Sequence, residues 1–600
     1  MKPHGQLRRS QLLNTYGPGA LIDLPDHSVL VGGLDHWRWP DHLPARIDEP
    51  RLLQKIRLLL PDVRELREPP VDPDPDEPRS GITVWQFPEW FITQDILHAH
   101  PRFGRARRLV HRRLLEKNQY IDEDRKKHPV VPVRFVRACP KGHIGDIDWY
   151  FFVHEGETSC RRNLWIDEQG TSGDIASLWV RCDCGKRRSL AQAADHKRFK
   201  ALRYCDGGRP WLGGQSTQEE CHELNRLLIR SASHAYFPQV LSVISLPLQQ
   251  NDPVMAAVWE TVAEAETVEE VEFFSRKVLK VREAIQGYDS GRVLSAIRAH
   301  REAGGVGDDA PTIKDAELEV LTADQDPIGR DHPDSEFYAR AVPRVVWHQP
   351  GMEAVERVLL IHRLREVVAQ VGFTRFEAVA PDTDGELDIG VERAALGAET
   401  TWLPAIENRG EGIFIGFQRE KIRHWLRQSA VNDRHLQLVQ GFQCWQQEHP
   451  TSQRVFPGAD YLLMHTLSHL LLTVIALECG YPASAIRERV YASELGYGIL
   501  LYTASSDAEG TLGGLVKAGE RIHHHLRAAL DWARLCGNDP VCAQHKPDDP
   551  HERRFLHGAA CHGCLLIAET SCEQFNDFLD RTLVVPTVDQ AAAAFFPDPA

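Results

Sequence analysis

The stretch "HGAACHGCLLIAETSCEQ" at 557–574 places three cysteines, Cys561, Cys564 and Cys572, within twelve residues. Thiols this close together can grip a soft metal, cycle as a redox pair, or cross-link a secreted fold. Just upstream, "LCGNDPVC" supplies Cys536 and Cys542. A C-x-x-C pair beside a second cysteine pair has the spacing of a zinc knuckle, whereas a thioredoxin-like redox pair needs no second pair. Five thiols compete for four tetrahedral places. The reading adopted is Cys536, Cys542, Cys561 and Cys564 as ligands, with Cys572 spare or supporting. A four-cysteine site is coordinatively closed, so it acts as a staple and leaves no position for a reactive water.

A second cysteine zone runs from 139 to 221. "RCDCGKRR" gives Cys182 and Cys184, "YCDGGRPW" gives Cys205, and "EECHEL" gives Cys221. A C-x-C pair beside glycine is a tight knuckle, and these four thiols are expected to form a second all-cysteine zinc site. A weaker candidate is Cys139, His143, His154 and Cys160. The bland reading of either set is buried free thiols. Eleven of the thirteen cysteines fall in these two zones. The other two, Cys444 and Cys479, read as small core residues.

His465 and His469, in "HTLSH", lie four apart and share a helix face. The glutamate of H-E-x-x-H is absent, Thr466 standing in its place. Two histidines on an apolar helix are more often hydrogen-bonded core residues. The alternative is a metal-dependent nuclease or hydrolase that adds Glu494, Asp507 and Glu509 from nearby segments. The chain holds no G-x-x-x-x-G-K-[ST] and no G-x-S-x-G. "GTLGGL" (510–515) lacks the phosphate-binding lysine and reads as a turn before a helix. A basic run, "RFGRARRLVHRR" (102–113), carries Arg102, Arg105, Arg107, Arg108, Arg112 and Arg113. On a helix these would make a broad cationic face for nucleic-acid phosphates, or a solvated face paired with the acidic remainder of the chain.

The elements that must position these residues are mixed. "YLLMHTLSHLLLTVIAL" (461–477) carries two histidines and a serine, and reads as a buried helix and not as a membrane span. Residues 252–300 and 353–371 read as helical from their apolar spacing, with "NDP" as the start of the former. "EGIFIGF" (411–417) and "YGILLYTAS" (497–505) read as buried strands. "EPPVDPDPDEPRSG" (68–81) and "REAGGVGDDAPT" (301–312) read as linkers. The expected fold is therefore mixed α/β (α+β), multidomain, with zinc-stapled loop-rich modules. Five segments are expected: 1–130 with the arginine-rich run, a Cys/His-rich zinc-binding region at 131–235, a helical segment at 236–310, an α/β middle region at 311–450, and a zinc-binding C-terminal domain at 451–600.

Bulk composition is ordinary for a soluble globular chain, at 42% hydrophobic and 26% charged residues. A formal net charge of −15 argues against coating nucleic acid by bulk charge, though a local basic groove remains compatible with it. The opening "MKPHGQLRRSQLL" lacks the features of a secretory signal, so a cytoplasmic location with reduced thiols is expected.

Several motifs occur together and in a familiar order. The run from "DYLLMHTLSHLLL" (460–472) to "CHGCLLIAETSCEQFNDFLDR" (561–581) resembles the zinc-binding domain of MrfA-type DNA-repair helicases. "RRSQLLNTYGPGALIDL" (8–24), "CPKGHIGDIDW" (139–149), "CDGGRPWLGG" (205–214), "RLREVVAQVGFTR" (363–375) and "GEGIFIGF" (410–417) point further. With these the chain resembles the DrmB family, helicase-associated subunits of the DISARM anti-phage system. The resemblance implies a DrmA-type superfamily 2 helicase as partner and engagement of DNA by the pair, with ATP hydrolysis left to the partner. The family's cysteine motif maps onto Cys536, Cys542, Cys561 and Cys564. No catalytic residue carries over. The expected protein is a non-catalytic, Zn2+-binding subunit with no membrane association.

Overall fold

β-Branched and aromatic residues, punctuated by turns, dictate two sheet-based units. The computed structural model describes residues 7–597 apart from 25–26, 40–44, 71–79, 101–103, 170–173, 216–218, 247–260, 263–264, 286–289, 292, 295–296, 298–311, 334, 380, 388–392, 451, 504–512, 550 and 589. One unit comprises Met1–Ser242, Val367–Ala380 and Leu387–Glu407. The other comprises Val243–Glu366, Pro381–Glu386 and Asn408–Ala600. The chain is mixed α/β with several sheets, as its segments suggested.

In the first unit the largest sheet is built from β1 (Trp90–Thr93), β2 (Gly104–His111), β3 (Leu115–Glu116), β4 (Gln119–Ile121), β5 (Lys127–Pro132), β6 (Leu164–Glu168), β7 (Leu178–Cys182) and β8 (Arg187–Ser189). Its main path runs β3-β4-β5-β1-β2-β6-β7-β8, with antiparallel neighbours throughout. Short helix α1 (Trp149–His154) is N-capped by Asp148, whose carboxylate accepts from the Phe151 amide at 2.9 Å. Its Trp149 and Phe152 join Leu164, Val180 and Leu190 in one buried core. A smaller sheet pairs Phe135–Ala138 with Arg226–Ile229. That pairing brings the chain just after Ala138 beside the chain just before Arg226.

In the second unit, α2 (Ile313–Thr322) precedes β9 (Phe337–Ala341); the long strands β10 (Val355–Thr374) and β11 (Trp402–Phe417) belong to this unit up to Glu366 and from Asn408 on, and to the first unit over the rest. Helix α3 (Ala459–Cys479) follows, then the hairpin β12 (Ile486–Ser493) and β13 (Gly496–Thr503), then α4 (Ile522–Ala533). The sheet order here is β9-β10-β11-β13-β12. Helix α3 is the one helix among the described residues long and apolar enough to cross a membrane, and 72% of its apolar window is buried inside the protein. It is apolar nearly all round and so sits in the core. Gly480 ends it in the left-handed region at φ 69°, a conformation that glycine adopts without strain.

Residues 353–371 do not form the expected helix. They lie largely in β10, whose Val355, Val358, Ile361, Val367, Val368 and Val371 favour a strand. A strand buried on both faces reads as a near-continuous apolar run, which helical spacing also matches. The segment 252–300 is helical at Val268–Lys277 and Leu279–Ile285. Its cap is Thr267, in a capping box with Glu270, and the "NDP" start lies outside the described residues. The strands expected at 411–417 and 497–505 correspond to the end of β11 and to β13. Gly513, at φ 59°, precedes the helix Gly514–Gly519 as the turn reading expected, while 510–512 lie outside the description, as do 71–79 and 301–311 of the two linkers.

Candidate metal centres

None of the thirteen cysteines is in a disulfide. Eleven instead gather, with four histidines and one glutamate, into four clusters, each with four donor atoms within 4.8 Å of one another.

The first cluster is Cys139, His143, Cys205 and Cys221, all buried. Cys139 and His143 face each other across a tight turn, in which the Gly142 amide donates to the Cys139 carbonyl at 3.1 Å. Gly142 sits at φ 89°, and a side chain there would meet Ala394 and Phe373. The His143 Nδ1 lies 3.4 Å from the Cys139 sulfur, while Nε2 meets the Glu219 carboxylate at 3.1 Å. A carboxylate on the far ring nitrogen fixes the tautomer and leaves the near nitrogen free to ligate. The Gly207 amide donates to the Cys205 sulfur at 3.3 Å. A hydrogen bond from the Cys139 thiol holds the Cys205 thiol down to about 4.

The second cluster is His154, Cys160, Cys182 and Cys184. His154, the last residue of α1, donates Nδ1–H to the Tyr150 carbonyl at 2.8 Å and turns Nε2 toward the Cys184 sulfur at 3.2 Å. Cys160 and Cys182 lie 3.6 Å apart, sulfur to sulfur. Cys182 ends β7, and Gly185 at φ 97° closes the knuckle by donating to the Cys182 carbonyl at 2.9 Å. The Lys186 amide holds the exposed Cys184 thiol down to about 7.

The third cluster is Cys536, Cys542, Cys561 and Cys564, just beyond α4. Sulfur–sulfur distances are 3.4 Å for Cys536–Cys561, 3.8 Å for Cys542–Cys564 and 3.7 Å for Cys561–Cys564. Tetrahedral zinc with bonds of about 2.3 Å would set such edges at about 3.8 Å. Amides of Asn538 and Gly563 donate to the Cys536 and Cys561 sulfurs at 3.4 and 3.3 Å. The Cys564 thiol holds Cys542 down to about 6 by hydrogen bonding, whereas burial pushes Cys536 up to about 11. One lowered thiol in each cysteine-rich cluster suits metal ligation, since the thiolate is the ligand form. The donor sets are those of structural zinc: three cysteines with one histidine in the first two clusters, and four cysteines in the third.

The fourth cluster, His465, His469, Glu488 and Cys572, is buried throughout. The two histidines come from α3, Glu488 from β12, and Cys572 from the loop that follows the third cluster. The Glu488 Oε1 lies 2.9 Å from His465 Nε2 and 3.2 Å from His469 Nε2.

Four expectations need correction. Cys182, Cys184, Cys205 and Cys221 do not form one all-cysteine site, nor do Cys139, His143, His154 and Cys160 form another. The second cluster is nested inside the first. Pairing of Phe135–Ala138 with Arg226–Ile229 joins the outer residues, and β7 with its turn presents the inner pair to α1. Linear order cannot reveal such nesting. Cys572 is not a spare member of the four-cysteine group; its sulfur lies 3.1 Å from His465 Nε2. Glu494 is not near the histidines but 3.2 Å from Arg419 on the surface, and Asp507 and Glu509 lie outside the described residues. Last, the arginine run is strand β2 followed by a single 3-10 turn at Arg112–Leu114, not one continuous helix. Arg108 is buried against Asn163 and the Leu164 carbonyl, and Arg107 pairs with Glu168 at 3.3 Å. Arg105, Arg112 and Arg113 are exposed, and Arg102 lies outside the described residues. Glu488 was missed entirely; in the sequence it stands between Arg487 and Arg489 in "IRERV", where it reads as one of three ordinary strand charges and nothing marks it as a ligand.

Closed four-ligand clusters define a metal-stapled scaffold. Residues 8–237 match the family "Domain of unknown function (DUF8724)", and residues 467–565 match the "MrfA Zn-binding domain". The DISARM protein DrmB of Bacillus paralicheniformis is 32% identical over 479 residues, covering 78% of this chain and 82% of that protein. A solved structure of the DUF1998 helicase MrfA bound to DNA matches at 12% identity over 36% of this chain and 23% of its own, with a TM-score of 0.18. The chain belongs to the DrmB family of DISARM proteins, and zinc is its cofactor.

Proposed function

We propose that this protein is a non-catalytic, zinc-stapled subunit of an anti-phage DISARM complex that docks a DrmA-type superfamily 2 helicase and helps it engage phage DNA in the cytoplasm. The observation that carries this reading is the four-cysteine cluster at 536–564 inside a segment matching the MrfA Zn-binding domain, in a chain of the DrmB family. Metal binding supplies folding free energy directly, so zinc can hold irregular loops in one arrangement without a large core around them. Exposed Arg105, Arg112 and Arg113 would contact the phosphate backbone, with Arg107 behind them and Arg108 holding the strand from within. A hydrolytic role finds little support: the two α3 histidines are fully buried and have lost their supposed partner Glu494. ATP turnover would rest with the helicase.

The test is co-purification of the chain with its helicase, followed by DNA binding by the pair at low and high salt. Binding should weaken as salt rises, because phosphate contacts release counterions. The chain alone, given labelled single- and double-stranded DNA with Mg2+ or Mn2+, should leave both intact. Cleavage that disappears in His469→Ala would overturn the scaffold reading.

A further inference from the structure

We propose that His465, His469, Glu488 and Cys572 form a structural metal site of their own, holding a divalent ion of zinc-like chemistry and locking α3, β12 and the 572–576 turn together. Two observations lead there. The first concerns the imidazole tautomers. His465 Nδ1 lies 3.3 Å from the Phe578 carbonyl and His469 Nδ1 lies 2.9 Å from the Leu565 carbonyl. Each Nδ1 must therefore carry the proton and donate it, which leaves both neutral rings with a bare Nε2 lone pair. Both lone pairs converge on Glu488 Oε1, itself an acceptor, and that of His465 also meets the Cys572 sulfur. Four lone pairs aimed at one point repel one another unless a cation accepts them.

The second observation is how the anionic ligands are held. Amides of Gln574 and Asn576 donate to the Cys572 sulfur at 3.4 and 3.1 Å, as backbone amides do in the first and third clusters. Phe575 and Asn576 adopt φ 52° and 68°, so the chain bends tightly around the sulfur. The Glu573 amide reaches Glu488 Oε1 at 3.3 Å, and Ser468 donates to the second carboxylate oxygen. A carboxylate and a thiolate balance one divalent cation. Imidazole, carboxylate and thiolate together suit zinc among the common divalent ions. All four places are filled by protein and the donors are buried, so the ion is structural and no substrate reaches it.

The test uses the full chain, with metal measured per protein by elemental mass spectrometry. Glu488→Gln and Cys572→Ser should each lose one metal equivalent relative to the parent, and Cys564→Ser should lose a different one. Combining Glu488→Gln with Cys564→Ser should lose both. His469→Cys keeps a ligand at that place: it should retain the metal and, when loaded with cobalt, add sulfur-to-cobalt charge-transfer absorption. Folded Glu488→Gln and Cys572→Ser proteins with parental metal content would overturn the proposal. Should those two variants fail to fold, a His469→Cys cobalt spectrum identical to the parent's would overturn it instead.

Discussion

Replacing Cys564 by serine removes one sulfur from the third cluster, and the structure sets the size of the effect. Between Arg534 and the end of the described residues, the regular elements are the short turns Glu569–Ser571 and Arg581–Leu583. This segment depends on cross-links more than on a ladder of backbone hydrogen bonds. A metal joining Cys536 to Cys561 closes a loop of 25 positions, and joining Cys542 to Cys564 closes one of 22. Closing a loop of that length removes unfolded-state entropy worth about 3–4 kcal/mol, and the second closure, overlapping the first, adds less. Serine at 564 cannot supply a thiolate, so zinc retention should fall. A loss of about 3–4 kcal/mol should lower the melting temperature by roughly 6–16 °C, taking about 2–4 °C per kcal/mol for a large unit. The assay is calorimetry beside elemental analysis, with Cys444→Ser as control, because Cys444 is half-buried and belongs to none of the four clusters. Full zinc content and an unchanged melting temperature in Cys564→Ser would refute the staple.

Asp580→Asn should destabilise the second unit by roughly 3–5 kcal/mol in denaturant titration, because it strands the buried Arg434 charge now paired with Asp580 at 2.7 Å. His557, half-buried and bonded to the Asn576 carbonyl at 2.9 Å, is pushed down from 6.5 to about 4 by desolvation. In that window the unfolded chain binds a proton that the folded chain refuses, so stability falls as pH drops from about 6.5 to about 4, by up to about 3 kcal/mol. His557→Gln should flatten that slope in melts across the same range. Arg112→Glu with Arg113→Glu should cut DNA binding by the helicase complex without shifting the melting temperature, as both are exposed. Arg108→Glu, by contrast, should unfold β2, because it buries a carboxylate against the Leu164 carbonyl.

What the sequence made legible follows from how local each signal is. The Cys536–Cys564 group is readable because two short-range pairs lie close together and the chain between them is loop. The nested clusters at 139–221 are not, because the strand pairing that selects partners joins residues almost a hundred positions apart, such as Val136 with Leu228. Helix α3 is legible from its long apolar run and its closing glycine. Strand β10 is not, because burial on both faces erases the alternation that separates strand from helix. The arginine run misled for a related reason: residue type was read without the strand's period of two, which turns Arg105 outward and Arg108 inward. Glu488 and Cys572 reach the α3 histidines only through tertiary folding.

Native mass spectrometry of the intact purified chain tests the central claim most directly. The account predicts a folded protein carrying zinc at each of the three cysteine-rich clusters, and a fourth divalent ion at the α3 site, released on unfolding in acid. A folded chain whose mass equals that of the bare polypeptide would contradict it.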